Sequence, residues 1–557
     1  MTKRWLLPLA LCASTLSVQP AHGLLNDRLF DHNFEAATDL PANDAEAARF
    51  LTQATFGPTP AEIAYLRQVG YSRWIKQQLI APPTLVHPYM EQVHAAMQAA
   101  TPQQSVSQNQ RLDRWFHTAM TAPDQLRQRM AFALSQIVVI SDQNGTLSGE
   151  PRQISHYYDI LSTFGLDSYR NLLQHVTLNP SMGKYLSHFR NRKASADGTR
   201  QPDENYAREV MQLFTIGLVE RNLDFSPILI GGQSVPTYNQ NDITNLAKVF
   251  TGFNYNNATT ISNGTNNHLP MTCIQNEHDV TAKQIFDPPI PIAAGQQCLN
   301  EVSYVLDVLS LHDNVAPFVA RQLIQRFTSS TPSPAYIQRV AQKYNNNGWG
   351  ERADLGAVIM QILLDPEARN APGPNSGKPR EPLLKLTALW RAWGAQAPAA
   401  DAFGNIPMGM TNPTGTYGQR PLGADSVFNF YEPDYSQPGA VADAGLYSPE
   451  YQILNESTIT TTANSLYTYG FNSWIGMTNP PTTRPLLDIT PLTNLGTNYT
   501  AMVDEANRRM LYGSMSAGMR TSLINAVTFM ASDVSASERA RSIIYLVAIS
   551  PEYAVQR

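Results

Sequence analysis

The chain has 557 residues, enough for two or more domains or for one large core with insertions. Charged residues make up 15% of the sequence, against ~25% in an average soluble domain, and 43% of the residues are hydrophobic. The net charge of −5 and the absence of a basic run interleaved with aromatic residues exclude a general attraction to nucleic acid or to anionic membranes. We therefore expect no nucleic-acid partner.

The first residues have the pattern of an export signal, which we assign to residues 1–23. Lys3 and Arg4 form a short positive region, residues 5–18 are mainly apolar, and small residues precede a cleavage site after Gly23. A retained membrane anchor is the alternative, but the apolar stretch is shorter than the ~20 residues that span a bilayer. We expect an exported protein, periplasmic or secreted, with no membrane span after signal cleavage.

Apolar residues recur at three- and four-residue spacing along most of the remaining chain, which predicts a mainly α fold with a large multi-helix core. Strand-like alternation is rare, and we expect at most a few short strands, for example near residues 231–237. The predicted helices are residues 45–56, 59–79, 110–120, 124–140, 157–164, 169–178, 204–216, 241–250, 301–309, 315–327, 334–345, 354–364, 382–393, 450–467, 502–511, 519–530 and 536–549.

Composition divides the chain after the signal into a linker and two larger parts. Residues 24–45 form the predicted linker, and residues 46–400 form a helical core with a loop-rich insertion at about residues 225–300. Residues 401–557 form a C-terminal region of loops rich in Gly, Pro and aromatic residues, followed by closing helices. We expect these closing helices to pack on the core.

Two cysteines, Cys273 and Cys298, lie in the insertion, and signal cleavage would remove the third, Cys12. An even pair in an exported protein favours a structural disulfide, worth roughly 3 kcal/mol through loop-closure entropy. A zinc site is a weaker interpretation, because the two residues lack the close C-x-x-C spacing of zinc ligands. We predict a disulfide and no metal site.

The predicted helix at residues 204–216 gathers polar side chains on one arc, here named the polar stripe. On a helix that turns ~100° per residue, its members are Glu204, Asn205, Arg208, Glu209 and Gln212. Glu204 and Glu209 are candidate catalytic residues, because paired carboxylates can act as general acid and base. Asn205 and Arg208 are candidate substrate-binding residues. The structural alternative is a solvated helix face with an ordinary Glu204–Arg208 ion pair, worth ~0.3–0.5 kcal/mol.

A second group of candidates lies in the insertion, where Glu277, His278 and Asp279 precede Lys283. A histidine beside carboxylates can serve as a general base or a metal ligand, but a metal needs at least three ligands, so a hydrogen-bonded loop anchor is the alternative. We count His278 and Lys283 as candidate substrate-binding residues. Upstream, residues 188–193 carry an imidazole and three cations that folding could set opposite the polar stripe.

Familiar catalytic fingerprints are absent from the sequence. No H-E-x-x-H, P-loop, G-x-G-x-x-G or G-x-S-x-G pattern occurs, which argues against the common metalloprotease, nucleotide-binding, dinucleotide-binding and serine-hydrolase classes. The cofactor is therefore unassigned.

Eight segments carry a resemblance to a known family: residues 49–59, 203–217, 238–243, 247–253, 278–283, 426–431, 448–453 and 550–557. In this order, and over about residues 46–557, they resemble the longer members of the bacterial exported "domain of unknown function 1800" family. The resemblance implies an exported partner, because genes of this family often accompany those of another exported family related to the alkaline-phosphatase superfamily. The chain departs from the family pattern at Gln212, where Glu is common, and at Phe214, where His is frequent.

Two functions are compatible with these residues. The first is an acid/base enzyme for a polar extracellular substrate such as a polysaccharide, and it predicts that Glu204, Arg208, Glu209 and His278 converge within a pocket. The alternative is a non-catalytic binding or assembly protein that works with another exported protein, and it predicts a large exposed apolar patch.

Overall fold

The computed structural model describes residues 39–370, 373, 376–468 and 483–556. Helices dominate these residues, and the strands form only two-stranded pairs, so the predicted mainly α fold is confirmed. No helix in this part of the chain is long and apolar enough to cross a membrane. The predicted signal, residues 1–23, lies outside the described residues.

The helices up to the loop-rich insertion are numbered in chain order: α1 (Asp44–Ala54), α2 (Pro60–Val69), α3 (Tyr71–Ile80), α4 (His87–Ala100), α5 (Gln108–Thr121), α6 (Gln125–Ser135), α7 (Pro151–Phe164), α8 (Tyr169–Thr177), α9 (Pro180–Tyr185), α10 (Asn205–Gln212) and α11 (Gln240–Val249).

The helices after the insertion are α12 (Cys298–Leu311), α13 (Val315–Phe327), α14 (Pro334–Asn345), α15 (Leu355–Leu364), α16 (Pro366–Arg369), α17 (Pro382–Ala392), α18 (Pro413–Tyr417), α19 (Ala440–Asp443), α20 (Glu456–Leu466), α21 (Thr490–Thr493), α22 (Tyr499–Ala506), α23 (Ala517–Thr528), α24 (Ala536–Ala548) and α25 (Pro551–Ala554).

The strands pair antiparallel in four hairpin-like or long-range pairs: β1 (Leu229–Ile230) with β2 (Gln233–Ser234), β3 (Phe253–Asn254) with β4 (Thr272–Cys273), β5 (Lys283–Ile285) with β6 (Ile290–Ile292), and β7 (Lys378–Pro379) with β8 (Val555–Gln556). The first three pairs lie in the insertion. The last pair joins the C-terminus to the segment before α17, with Lys378 opposite Gln556.

Several helix boundaries differ from the predicted ones, each for a local reason. The predicted helix 59–79 is two helices, because Gly70 has φ = 82° and ends α2 with its N–H on the Leu66 carbonyl. The predicted helix 204–216 ends at Gln212. The predicted helix 450–467 is a 3-10 turn followed by α20, whose N-cap is Asn455.

One hydrophobic core runs from α1 to the last helices. Its buried members extend from Ala47 in α1 to Tyr553 in α25, so both ends of the described chain pack into it. The contact between α17 and the N-terminal segment is close at Gly57, which has φ = 123°. A Cβ atom at this position would lie 2.4 Å from the Ala388 Cα atom. Only glycine therefore fits there without a shift of α17.

The insertion is cross-linked by the predicted disulfide. Cys273 in β4 is bonded to Cys298, the first residue of α12, across 25 residues of sequence. This bond fixes the start of α12 to the β3–β4 pair and confirms the pairing expected from the cysteine count.

Candidate functional site

Helix α10 carries most of the polar stripe, and its apolar side is buried as the spacing predicts. Tyr206, Val210 and Met211 are at most 1% exposed, and Phe214 beyond the helix end is also buried. The helix starts after Asp203, whose Oδ1 accepts the N–H of Asn205. The packing of this side therefore fixes which polar residues of α10 face outward.

Glu204 is held by the neighbouring helix α11. Its carboxylate accepts hydrogen bonds from Gln240 Nε2 at 2.9 and 3.1 Å and from Thr244 Oγ1 at 2.8 Å. The Arg208 guanidinium lies 3.5 Å from Glu204 Oε2, which is the ion pair of the structural alternative. Both carboxylate oxygens of Glu204 are thus engaged in tying α10 to α11.

Glu209 differs from Glu204, although the sequence placed both on one arc. Glu209 is 7% exposed, and its Oε2 atom is buried without a hydrogen-bond partner among the described residues. Burial raises the pKa of Glu209, and the nearby charge of Arg208 opposes this shift. The Glu209 carboxyl therefore holds its proton to higher pH than an exposed glutamate does.

Two tyrosines lie near enough to Glu209 for its charge to act on them. Burial, with a smaller contribution from Glu209, raises the pKa of Tyr185 to about 12. Burial also raises the pKa of Tyr238, whose hydroxyl donates a hydrogen bond to Gln212 Oε1 at 3.2 Å. Of the other stripe residues, Asn205 is exposed and Arg208 is half-buried. The polar stripe thus lies on one side of α10, and Glu209 is its buried carboxyl.

His278 and Lys283 lie in a different environment, around Glu301 of α12. Lys283 Nζ donates to both Glu301 oxygens at 2.8 and 2.9 Å and to the carbonyls of Asp279 and Thr281 at 2.6 and 3.0 Å. His278 Nε2 lies 3.3 Å from Glu301 Oε2, and all three side chains are 0% exposed. No polar-stripe residue is among their hydrogen-bond or ion-pair partners in the described chain, so the structure forms two groups rather than one.

The cations of residues 188–193 also face the insertion. Arg192 pairs with Glu277 at 2.7 and 2.9 Å, and Arg190 donates to Asn254 and to the Asn263 carbonyl. His188 is 1% exposed and packs against Tyr206 with ring centroids 4.0 Å apart. These contacts place the segment beneath α10 and against the insertion.

A histidine cluster that the sequence did not single out joins α4, α7 and the insertion. The ring centroids of His87, His156 and His268 lie 4.2 to 5.4 Å apart. Burial, then the neighbouring imidazoles, lowers the pKa of His156 to about 4. In the described part of the chain no group of His, Cys, Asp or Glu side chains is arranged to hold a metal ion. The three rings belong to segments far apart in sequence, so spacing gave no signal for them.

A cleft of about 540 Å³ lies between the two ends of the described chain. Its lining residues come from α1, α16, the segment after β7, the turn after α22, and α25 with β8. Arg49, Arg369 and Arg380 line it, and no polar-stripe residue does. The signal for this site was present in the sequence, since two of the family-like segments, 49–59 and 550–557, meet there.

These features define a mainly α protein with a buried glutamate on one helix and a separate arginine-lined cleft. The family model described as "Protein of unknown function (DUF1800)" matches residues 49–555, so the chain belongs to that family. No curated protein and no solved structure matches it.

Proposed function

We propose that this family member is an exported enzyme that acts on a polar extracellular substrate such as a polysaccharide, with Glu209 as the proton donor. The observation that carries the proposal is the Glu209 carboxyl, which is 7% exposed, has an unpartnered Oε2 among the described residues, and has a pKa raised by burial. A carboxyl whose pKa is raised above its usual value suits general-acid catalysis.

The neighbours of Glu209 fit this role. Arg208 is half-buried beside it and can hold an anionic or hydroxyl-bearing group of a substrate. Tyr185 and Tyr238 lie near enough for the charge of Glu209 to act on them, and aromatic rings can pack against a sugar. Glu204 acts as a positioning residue, because both of its carboxylate oxygens accept hydrogen bonds from α11.

The test is a hydrolysis assay on a panel of extracellular polysaccharides, in which new reducing ends are measured. We expect Glu209→Gln to lower the rate about 10²- to 10⁴-fold, the usual contribution of a general acid. The matched control is Glu456→Gln, which removes a carboxylate at an exposed position of α20 and is expected to leave the activity unchanged. The rate of the parent enzyme should fall as pH rises through the raised pKa of Glu209. Parent-like turnover by Glu209→Gln would refute the assignment.

A specific surface feature favours a second candidate function, the binding of another exported protein. The family resemblance implies a partner related to the alkaline-phosphatase superfamily. The β1–β2 hairpin exposes a run of large apolar side chains, with Ile228, Leu229 and Ile230 at 37, 54 and 72% exposure. Such a run on a surface hairpin is typical of a contact site. Ile230→Asp should abolish co-purification with such a partner, while Phe529→Asp, at an 83% exposed position directly after α23, should not. Equal recovery of the partner with both variants would exclude the hairpin.

Export is supported by the disulfide, because such bonds persist in oxidising compartments. Cell fractionation and thiol alkylation test this part of the proposal. We expect the protein outside the cytoplasm with Cys273 and Cys298 blocked to alkylation until a reductant is added. A cytoplasmic protein with two free thiols would contradict it.

A further inference from the structure

The cleft between the chain ends contains a buried cation without an anionic partner. Arg380 is 5% exposed and lines the cleft, and its Nε and Nη1 atoms have no hydrogen-bond partner among the described residues. Its guanidinium carbon lies 4.7 Å from the centroid of the Tyr553 ring. A desolvated guanidinium with open donors is unfavourable unless an acceptor reaches it.

Two other cations lie near Arg380 or in the same cleft. Lys385 on α17 has its pKa lowered to about 8 by burial and by the charge of Arg380. Arg369 lines the same cleft, and burial followed by the charge of Arg49 lowers its pKa to about 10. Burial is the main cause of both pKa shifts, and repulsion by a neighbouring cation adds to it. The arrangement therefore favours a bound negative charge.

The carboxylates of the cleft do not supply that charge. Glu552 accepts hydrogen bonds from the N–H and the hydroxyl of Ser516, at the start of α23. Glu46 accepts the N–H of Ala42. Among the described residues neither forms an ion pair with an arginine of the cleft, so both act as helix caps.

Unpartnered guanidinium atoms alone do not make a site, and Arg129 shows the difference. Its Nε and Nη1 also lack partners, but the residue is 0% exposed and its guanidinium lies 5.1 to 5.8 Å from three phenylalanine rings of the core. No ligand can reach it there. Arg380, in contrast, borders a volume of about 540 Å³ that is large enough for a small molecule.

We propose that the cleft binds the oxyanion group of a small ligand, a phosphate, sulfate or carboxylate, through Arg380 with Arg49 and Arg369 at its rim. The guanidinium of Arg380 has open donors at Nε and Nη1 that can each bind an anionic oxygen, and the cations nearby compensate the negative charge of the oxyanion. The site is independent of the Glu209 proposal, because it shares no residue with α10.

Isothermal titration of the full-length exported protein at constant ionic strength tests this, with inorganic phosphate as the probe and with sulfate and acetate as further arms. We expect saturable binding of one anion per chain and a loss of about tenfold or more in affinity for Arg380→Gln. The control is Arg73→Gln, which removes the same charge at an exposed position outside the cleft and should leave the affinity unchanged. The order of affinities among the three probes separates tetrahedral from planar oxyanions.

A second variant keeps the test decisive if Arg380→Gln fails to fold. Ser514 is exposed and lines the cleft, so Ser514→Glu places a carboxylate there without altering the core. We expect this variant to lose phosphate binding about tenfold or more through competition and repulsion. The proposal is overturned if none of the three anions binds the parent protein saturably, or if Ser514→Glu binds phosphate as the parent does.

Discussion

Replacement of Lys283 with methionine removes one charge from an ion pair that the fold encloses completely. Lys283 Nζ lies 2.8 and 2.9 Å from the Glu301 oxygens, and both side chains are 0% exposed. The variant leaves the Glu301 carboxylate in the interior, with His278 Nε2 at 3.3 Å from its Oε2 atom. The perturbation therefore creates a buried, unpaired charge.

The expected cost is large for a single substitution. At 2.8 Å and an effective dielectric constant of ~20, Coulomb's law gives about 6 kcal/mol as an upper limit for the lost attraction. Removal of one member of a buried pair costs about 3–5 kcal/mol in practice, and we expect this decrease in the free energy of unfolding for Lys283→Met and for Glu301→Leu. The double variant Lys283→Met/Glu301→Leu lacks both charges and leaves the carbonyls of Asp279 and Thr281 without the lysine donor, so its cost should be about 1–2 kcal/mol.

Urea unfolding followed by tryptophan fluorescence gives the three free energies, and the double-mutant cycle gives the coupling. Arg520→Met is the matched control, because its pair with Asp504 has side chains 39% and 48% exposed and should contribute below about 1 kcal/mol. Additive costs, or single variants as mild as the control, would show that Lys283 and Glu301 are not a buried pair. In that case the substrate-binding role predicted for Lys283 would be the better explanation of this residue.

Three further outcomes follow from the structure. Replacement of Cys273 and Cys298 with serine should lower the free energy of unfolding by about 3 kcal/mol, measured in urea without reductant. Burial lowers the pKa of His188 to about 4, so its contribution to stability should be complete above its unfolded pKa of ~6.5 and fall by up to about 3 kcal/mol as pH drops towards 4, as urea midpoints across this range would show. Gly57→Ala should lower the melting temperature through the clash with Ala388, while Gly145→Ala, in open space, should not.

The helical core was predictable because each helix buries a continuous apolar side. The boundaries of Val315–Phe327 and Pro334–Asn345 agree with the predicted ones, since Asn314 and Ser333 precede them and apolar spacing is regular. The helix His87–Ala100 was missed although Met90, Val93 and Met97 have helical spacing and are buried. Its low charge and its two histidines gave no contrast between polar and apolar sides.

The environment of Glu209 was not predictable from periodicity. Five positions after Glu204, it lies about 140° further around a helix, so one acid can meet α11 while the other turns inward. Which of the two is covered depends on Tyr185 and Tyr238, which come from other parts of the chain. The grouping of the cleft arginines was not predictable either, because residues 49, 369 and 380 meet only in the folded protein.

The polar residues of α10, the insertion and the cleft separate into two kinds according to their hydrogen-bond partners. Glu204 and Lys283 have hydrogen bonds that tie the insertion or α11 to the core, so structural roles account for them. Glu209 and Arg380 have buried polar atoms without partners among the described residues, at an energetic cost of about 1–3 kcal/mol per atom. Stability alone does not account for a buried polar atom without a partner. We therefore propose a functional role for each of these two groups, proton donation for Glu209 and anion binding for Arg380.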